Sequence, residues 1–183
     1  MASELGVQTI QHTNGTDAMT IDSSGRLTQG SPVGFSARVV SDVSASAAGT
    51  RFTNWGITTS QLYGGFNTNG AGGGMLDLTT GIVTIPVTGY YSINLNARID
   101  SFAGAYHFID IIKTDSSGTY DSGVTTLLIR VLESATAPDY TAIHAHTFAY
   151  LSSGELIAAF WNNSGDNNVT LHSSTYFSMF KVG

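Results

Sequence analysis

An all-β sandwich with little or no helix is the fold class this sequence predicts, and three observations predict it. Residues 90–100 alternate cleanly: Tyr91, Ile93, Leu95, Ala97 and Ile99 fall on one face, and Tyr90, Ser92, Asn94, Asn96, Arg98 and Asp100 on the other. That period of two is what a half-buried strand requires. No window carries a sustained apolar repeat at 3.6 spacing, so no amphipathic helix is expected. Composition agrees, because Ser and Thr outnumber the charged residues more than two to one. A bias toward Thr, Ser, Gly, Tyr and Asn suits short strands joined by tight turns.

Taken in chain order, the first thirty residues differ from the rest. Val7 to Thr13 reads as a weak strand ending at Asn14-Gly15, the strongest two-residue turn signal. Met19 to Asp22 reads as a second, ending at Ser23-Ser24-Gly25, and Arg26 to Thr28 starts a third. The apolar residues available here are Leu5, Val7, Ile10, Met19, Ile21 and Leu27, too small a set for an independent core. Residues 1–31 are therefore expected to be an appendage that gains its packing from copies of itself or from a docking partner. Residues 32–183 are expected to form the main domain.

Within that domain, FSARV at 35–39 reads as the first strand. The run LDLTTGIVTIPVTGYYSIN at 76–94 is a turn, a short β segment, a Pro-x-x-Gly-Tyr-Tyr corner and the start of the alternating strand. YTAIHAHTFAYL at 140–151 alternates again, and SSGE at 152–155 is a turn. TYFSMFKV at 175–182 closes the chain as a last strand. Four segments, 35–39, 76–94, YLSSGELIA at 150–158 and 175–182, in this order resemble the signature of the C1q-like globular head of the C1q/tumour-necrosis-factor superfamily. The resemblance covers roughly residues 32 to 183, and residues 45–74 depart from it in being richer in Gly and Asn. It implies a jelly-roll sandwich that assembles as a homotrimer and binds without catalysing a reaction. The leader TIQHTNGTDAMTIDSSGRLT at 9–28 in turn resembles the short β segment that precedes such heads in bacteriophage structural proteins. There it ties the head to the virion, which makes other virion proteins the expected partners of residues 1–31.

Charge and cysteine content exclude several classes. With Lys+Arg 7 against Asp+Glu 13, scattered basic residues and only two lysines, no phosphate-binding patch is expected, and hence no nucleic acid. The absence of cysteine removes disulfides and thiolate metal sites. No run of 18 apolar residues offers a membrane span. Met1-Ala2-Ser3-Glu4 lacks the basic and apolar leader of a signal peptide, so the expected location is a virion surface reached by lysis, after synthesis in the host cytoplasm.

No catalytic residue is expected. Asp121-Ser122-Gly123 has the triplet of aspartic proteases without the apolar strand that should precede it, and reads as a surface turn. Asp22-Ser23-Ser24-Gly25 and Asp115-Ser116-Ser117-Gly118 are turns of the same kind. The glycine run at 70–74 lacks a following Lys-Ser/Thr and is no phosphate loop. His144 and His146 are sharper, since residues i and i+2 of a strand share a face. Tyr140, Ala142, Phe148 and Tyr150 extend that face. In a trimer the pair presents six nitrogens around an axis, enough for a transition metal, while the simpler reading is packing between protomers. His12, His107 and His172 are isolated and read as ordinary polar residues. Calcium has no closely spaced oxygen motif among Asp77, Asp100, Asp110, Asp115, Asp121, Asp139 and Asp166, which leaves only a site assembled across chains. The expectation is no resident cofactor.

Aromatic residues beside Gly, Asn and Ser are the remaining signal: Trp55, Tyr63, Phe66, Tyr106, Tyr120, Tyr140 and Trp161. Such residues serve glycan or protein contact, or simply fill the core or a protomer interface. The polar loop at 162–168, with Asn163 and Asp166, is the expected variable contact loop. Two function classes follow. One is a virion surface protein, either a tail-fibre knob for host attachment through a surface glycan or protein, or a capsid decoration protein. The other is a lectin-like recognition module of cellular origin.

Overall fold

The alternation in residues 89–100 becomes the spine of the molecule. In the computed structural model this segment is one twelve-residue strand whose odd residues from Tyr91 to Ile99 are all buried, while Tyr90, Asn94 and Asn96 stand outside. The structure describes residues 8–11, 17–21, 23–25, 27–29, 33–45, 49–56, 75–100, 106–120, 126–134, 140–163 and 169–182. Every element among the described residues is a strand: β1 (Thr9–Gln11), β2 (Asp17–Ile21), β3 (Leu27–Gln29), β4 (Gly34–Val39), β5 (Val43–Ala45), β6 (Thr50–Arg51), β7 (Trp55–Gly56), β8 (Val83–Thr84), β9 (Gly89–Asp100), β10 (Tyr106–Thr114), β11 (Thr126–Ser134), β12 (Tyr140–Leu151), β13 (Leu156–Asn163), β14 (Val169–Leu171) and β15 (Tyr176–Lys181).

The chain divides into two compact units, Met1–Pro32 and Val33–Gly183. The first holds a three-stranded antiparallel sheet, β1-β2-β3, with Ile10 and Ile21 exposed. The second is a two-sheet sandwich. One sheet runs β12-β9-β15-β4-β7, with β14 and β5 continuing from the far end of β9. The other runs β11-β10-β13, with β6 and β8 sharing the free edge of β13. After β9 the chain crosses to the second sheet for β10 and β11, returns for β12, crosses again for β13 and returns for β14 and β15. All pairings are antiparallel, so this is a jelly-roll sandwich. Chain alternation gives each strand one inward row, and those rows interdigitate into a single core.

The Pro-x-x-Gly-Tyr-Tyr corner works as the sequence suggests. Ile85 is buried at the end of β8, and the hydroxyl of the fully buried Tyr91 donates to the Val87 carbonyl at 2.6 Å. That bond satisfies a buried hydroxyl and fixes the angle at which the chain enters β9. The preceding turn is closed by Asp77, whose carboxylate accepts from the amides of Thr79 and Thr80 at 2.8 and 2.9 Å. Those amide bonds, Thr80 first, hold the Asp77 carboxyl below its ordinary range. Gly81 follows at φ 74°, and a Cβ there would lie 2.0 Å from the Phe52 carbonyl oxygen. Only glycine fits the turn against that backbone.

Three residues lie inside the sandwich, two of them aromatic residues that the sequence left between contact and core and one a histidine that it read as an ordinary polar residue. Trp55 and Trp161, candidates for surface contact, are core residues instead, 3% and 0% exposed. Trp55 donates its indole N–H to the Phe52 carbonyl and packs against Phe177, which is itself edge-on to Phe35. Trp161 lies on the inward row of β13 and donates to Nδ1 of His107 at 3.2 Å. His107 is therefore no ordinary surface histidine: it is fully buried on the inward row of β10, its ring stacked on Trp161. Both indoles bury their bulk because each N–H finds an acceptor inside the sandwich.

Candidate functional site

The outward face of the β12-β9-β15-β4 sheet is where the exposed aromatic side chains collect. On β12 the inward row is Ile143, Ala145 and Leu151, and the outward row is Tyr140, Ala142, His144, His146, Phe148 and Tyr150. Tyr140, Phe148 and Tyr150 are 61%, 62% and 57% exposed, although aromatic rings of this size usually find cover. The register sets them in cross-strand rows. Tyr150 faces Tyr90, Phe148 faces Ser92 and then Phe180, and His146 faces Asn94 and then Ser178. His144 faces Asn96, then Tyr176, then Arg38. Ala142 faces Arg98 and Tyr140 faces Asp100.

Local contacts order this face. Tyr90 and Tyr150 meet edge to face at 5.2 Å, and the His146 ring stands edge-on to Phe148 at 4.9 Å. At the other end Arg98 grips Asp100 through Nε at 2.8 Å and lays its guanidinium over the Tyr140 ring at 4.8 Å. Between these aromatic ends lies a shallow pocket of ≈ 210 Å³, lined by Asn94, Asn96, His144, His146, Tyr176 and Ser178. The face is aromatic at its ends, one of which also carries the Arg98–Asp100 pair, and polar at its middle, where Arg38 closes the row of His144.

The Ser92 hydroxyl and His146 Nε2 are 3.4 Å apart, yet the acid on this face, Asp100, is taken up by Arg98 and stands eight residues from Ser92 along β9. A nucleophile–base pair without a third group to orient the imidazole does not make a triad. No third described His, Cys, Asp or Glu joins His144 and His146 in a metal-binding group. The chain alone thus offers two imidazoles per face and no cage.

Of the expected contact residues, the structure brings Tyr140, His144, His146, Phe148 and Tyr150 together and sends Trp55 and Trp161 inside. Asp166, Tyr63 and Phe66 lie outside the described residues, as do the side chains of Asn163 and Tyr106. The triplet at 121–123 and the glycine run at 70–74 lie there too. Sequence reasoning did not connect Tyr90, Tyr176 and Phe180 to this face, although the period of two on β9 and β15 marks them as outward.

The outer face of the second sheet is treated differently, because the chain covers its β10–β13 part, while Leu127 and Leu132 of β11 stay exposed. The turn at Asp115–Gly118 carries Tyr120 back over the sheet, where its ring packs on Phe160 at 5.4 Å beside Ile112 and Ala158. Its hydroxyl donates to the buried Asp110 at 2.9 Å. Burial, and then the Asp110 carboxylate, push the Tyr120 hydroxyl above its ordinary range. In the same turn the Asp115 carboxylate accepts from Ser117 and Gly118, and the Ser117 hydroxyl foremost holds it below its ordinary range.

No protein-family model and no curated protein matches the chain. Solved structures do. The Eiger TNF of S. frugiperda superposes with a TM-score of 0.59 at 10% identity, over 84% of this chain and 94% of that one. Murine APRIL at pH 8.5 gives 0.57 at 15% identity, over 83% of this chain and 99% of that one. The chain has the TNF-like jelly-roll fold. At such identities the likeness speaks for the fold alone.

Proposed function

We propose that this chain is a non-enzymatic binding protein that works as a homotrimer, its β12-β9-β15-β4 face buried between copies. The observation that carries this reading is the edge strand β12. Among the described residues it pairs with β9 alone, it is twelve residues long, and its outward row holds Tyr140, Phe148 and Tyr150 with no charge. A long, uncharged edge beside exposed aromatics invites another chain, and isolated domains normally blunt such edges with charge. A second copy is the occupant that every molecule in solution supplies. The fold of the Eiger TNF and APRIL structures, and the C1q-like signature of residues 32–183, support the same arrangement.

Within this class we place the protein at a virion surface, as a tail-fibre knob for host attachment, with capsid decoration as the variant role. What supports it is the phage-like leader at 9–28 and the separate three-stranded unit that contains it. Residues 1–31 then attach the head to other virion proteins, and the outer loops of three heads meet a host-surface glycan or protein with the gain that multivalency gives. A second reading, a recognition protein of cellular origin, is favoured by the likeness to the Eiger TNF and APRIL structures. Immunogold labelling of purified particles with an antibody to this chain separates the readings. Label on tail fibres supports host attachment, label over the head supports decoration, and unlabelled particles reject the virion assignment.

A further inference from the structure

The charge pattern of the proposed interface is one-sided. Among the described side chains, the titratable and charged groups facing β12 come from four directions. On β12 itself there are Tyr140 and Tyr150 beside the two histidines. From β9 come Tyr90, Arg98 and Asp100, from β15 Tyr176 and Lys181, and from β4 Arg38 in the same cross-strand row as His144. His172 and Asp42 lie at the β14–β15 turn, where Asp42 accepts from the Ser173 amide. Glu155, past the end of β12, is held by Lys113, and Arg130 of β11 is held by Asp110 on the other sheet. Asp100 is already paired with Arg98. No carboxylate among these stands ready to receive a charged His144 or His146.

Building on the self-association proposed above, we infer that this interface is acid-labile, and that protonation of His144 and His146 separates the copies. Both imidazoles are exposed in the single chain and line the polar pocket at the centre of the face. Covering that pocket with another copy removes water from them, which disfavours the imidazolium form. A symmetric assembly repeats each imidazolium in every protomer, which adds like-charge repulsion between copies. Free protomers therefore bind more protons than assembled ones, and by linkage association weakens as pH falls. Imidazole is the side chain that gains charge between about pH 8 and 5, while tyrosine stays neutral and arginine stays charged. The interface is then closed at neutral pH and open in an acidified compartment.

The test is sedimentation velocity of the full chain at pH 7.5 and 5.5, with near-ultraviolet circular dichroism as a check that each sample is folded. The wild type is expected to dissociate at least about tenfold more readily at pH 5.5, and 1 M salt should reverse part of that loss by screening the repulsion. In His144→Gln/His146→Gln the ratio between the two pH values should shrink to about twofold or less, and each single variant should fall between. Equal association of the wild type at both pH values overturns the switch while leaving the self-association standing. Acid dissociation that persists in the double variant also overturns it, because the titrating groups are then elsewhere. A wild-type monomer at both pH values overturns the self-association and the switch together.

Discussion

Arg130 and Asp110 face each other across β11 and β10, and the guanidinium grips the carboxylate with both prongs, Nε to Oδ1 at 2.6 Å and Nη2 to Oδ2 at 2.7 Å. The partners are unequal: the Asp110 side chain is fully buried, while that of Arg130 is 41% exposed. Removing Arg130 leaves a buried carboxylate with only the Tyr120 hydroxyl as a described side-chain donor, whereas removing Asp110 leaves a cation that can turn to water. Arg130→Ala should therefore cost about 3 kcal/mol and Asp110→Ala about 1–2 kcal/mol. Urea unfolding of both variants checks the order, and the reverse order contradicts it.

Tyr91 tests the corner. Its hydroxyl bond to Val87 is the only part lost in Tyr91→Phe, so about 1 kcal/mol of stability should go, with the fold intact. Tyr91→Asp and Phe177→Asp each place a charge in a fully buried position and should yield no soluble folded protein. A soluble Tyr91→Asp protein with an unchanged thermal midpoint contradicts the core assignment.

Gly81→Ala should be the costliest alanine substitution among the described turn glycines. The new methyl would meet the Phe52 carbonyl and the Trp55 ring nitrogen, and the residue sits at positive φ besides. A loss of about 2 kcal/mol or more is expected in thermal unfolding, against about 1 kcal/mol for Gly25→Ala, where space is open.

Acid should weaken the fold through Glu155 and Asp77. Burial raises the Glu155 carboxyl, but the bonds from Lys113 and the Ser152 amide outweigh it and hold it below its ordinary value of 4.5. The folded state thus binds fewer protons than the unfolded chain, so this stabilisation is complete above that value and is lost as pH falls through the folded one. Both partners of the Lys113–Glu155 pair are partly exposed, so the contribution is under about 1 kcal/mol. The urea midpoint of Glu155→Gln should lie below that of the wild type at pH 7 and converge on it near pH 3. A constant gap across that range contradicts the assignment.

How far the sequence reaches depends on whether a strand has one wet face. β9 and β12 do, so their alternation shows both the core row and the exposed row, including His144 and His146. β13 does not: Ala159 and Trp161 face the main core while Ala158 and Phe160 face the cluster under Tyr120. With apolar residues on both faces the period of two vanishes, and nothing local decides whether Trp161, beside Asn162 and Asn163, faces the core or a partner. Trp55 is equally undecided in the sequence, since it stands between Asn54 and Gly56 on a strand of only two residues. The Asp110–Arg130 pair was invisible because its register across a bulged hairpin is a tertiary fact. The cover that buries it, Tyr120, arrives from a turn whose direction no local pattern encodes.

The most direct measurement is the mass of the full chain in solution at pH 7.5, by sedimentation equilibrium, for the wild type and for Phe148→Asp/Tyr150→Asp. Both substitutions lie on the exposed row of β12, so the variant should keep its fold. The expected result is three times the 19.2 kDa chain mass for the wild type and a single-chain mass for the variant. A wild type that sediments as one chain, or a folded variant that remains trimeric, contradicts the assignment of this face to self-association.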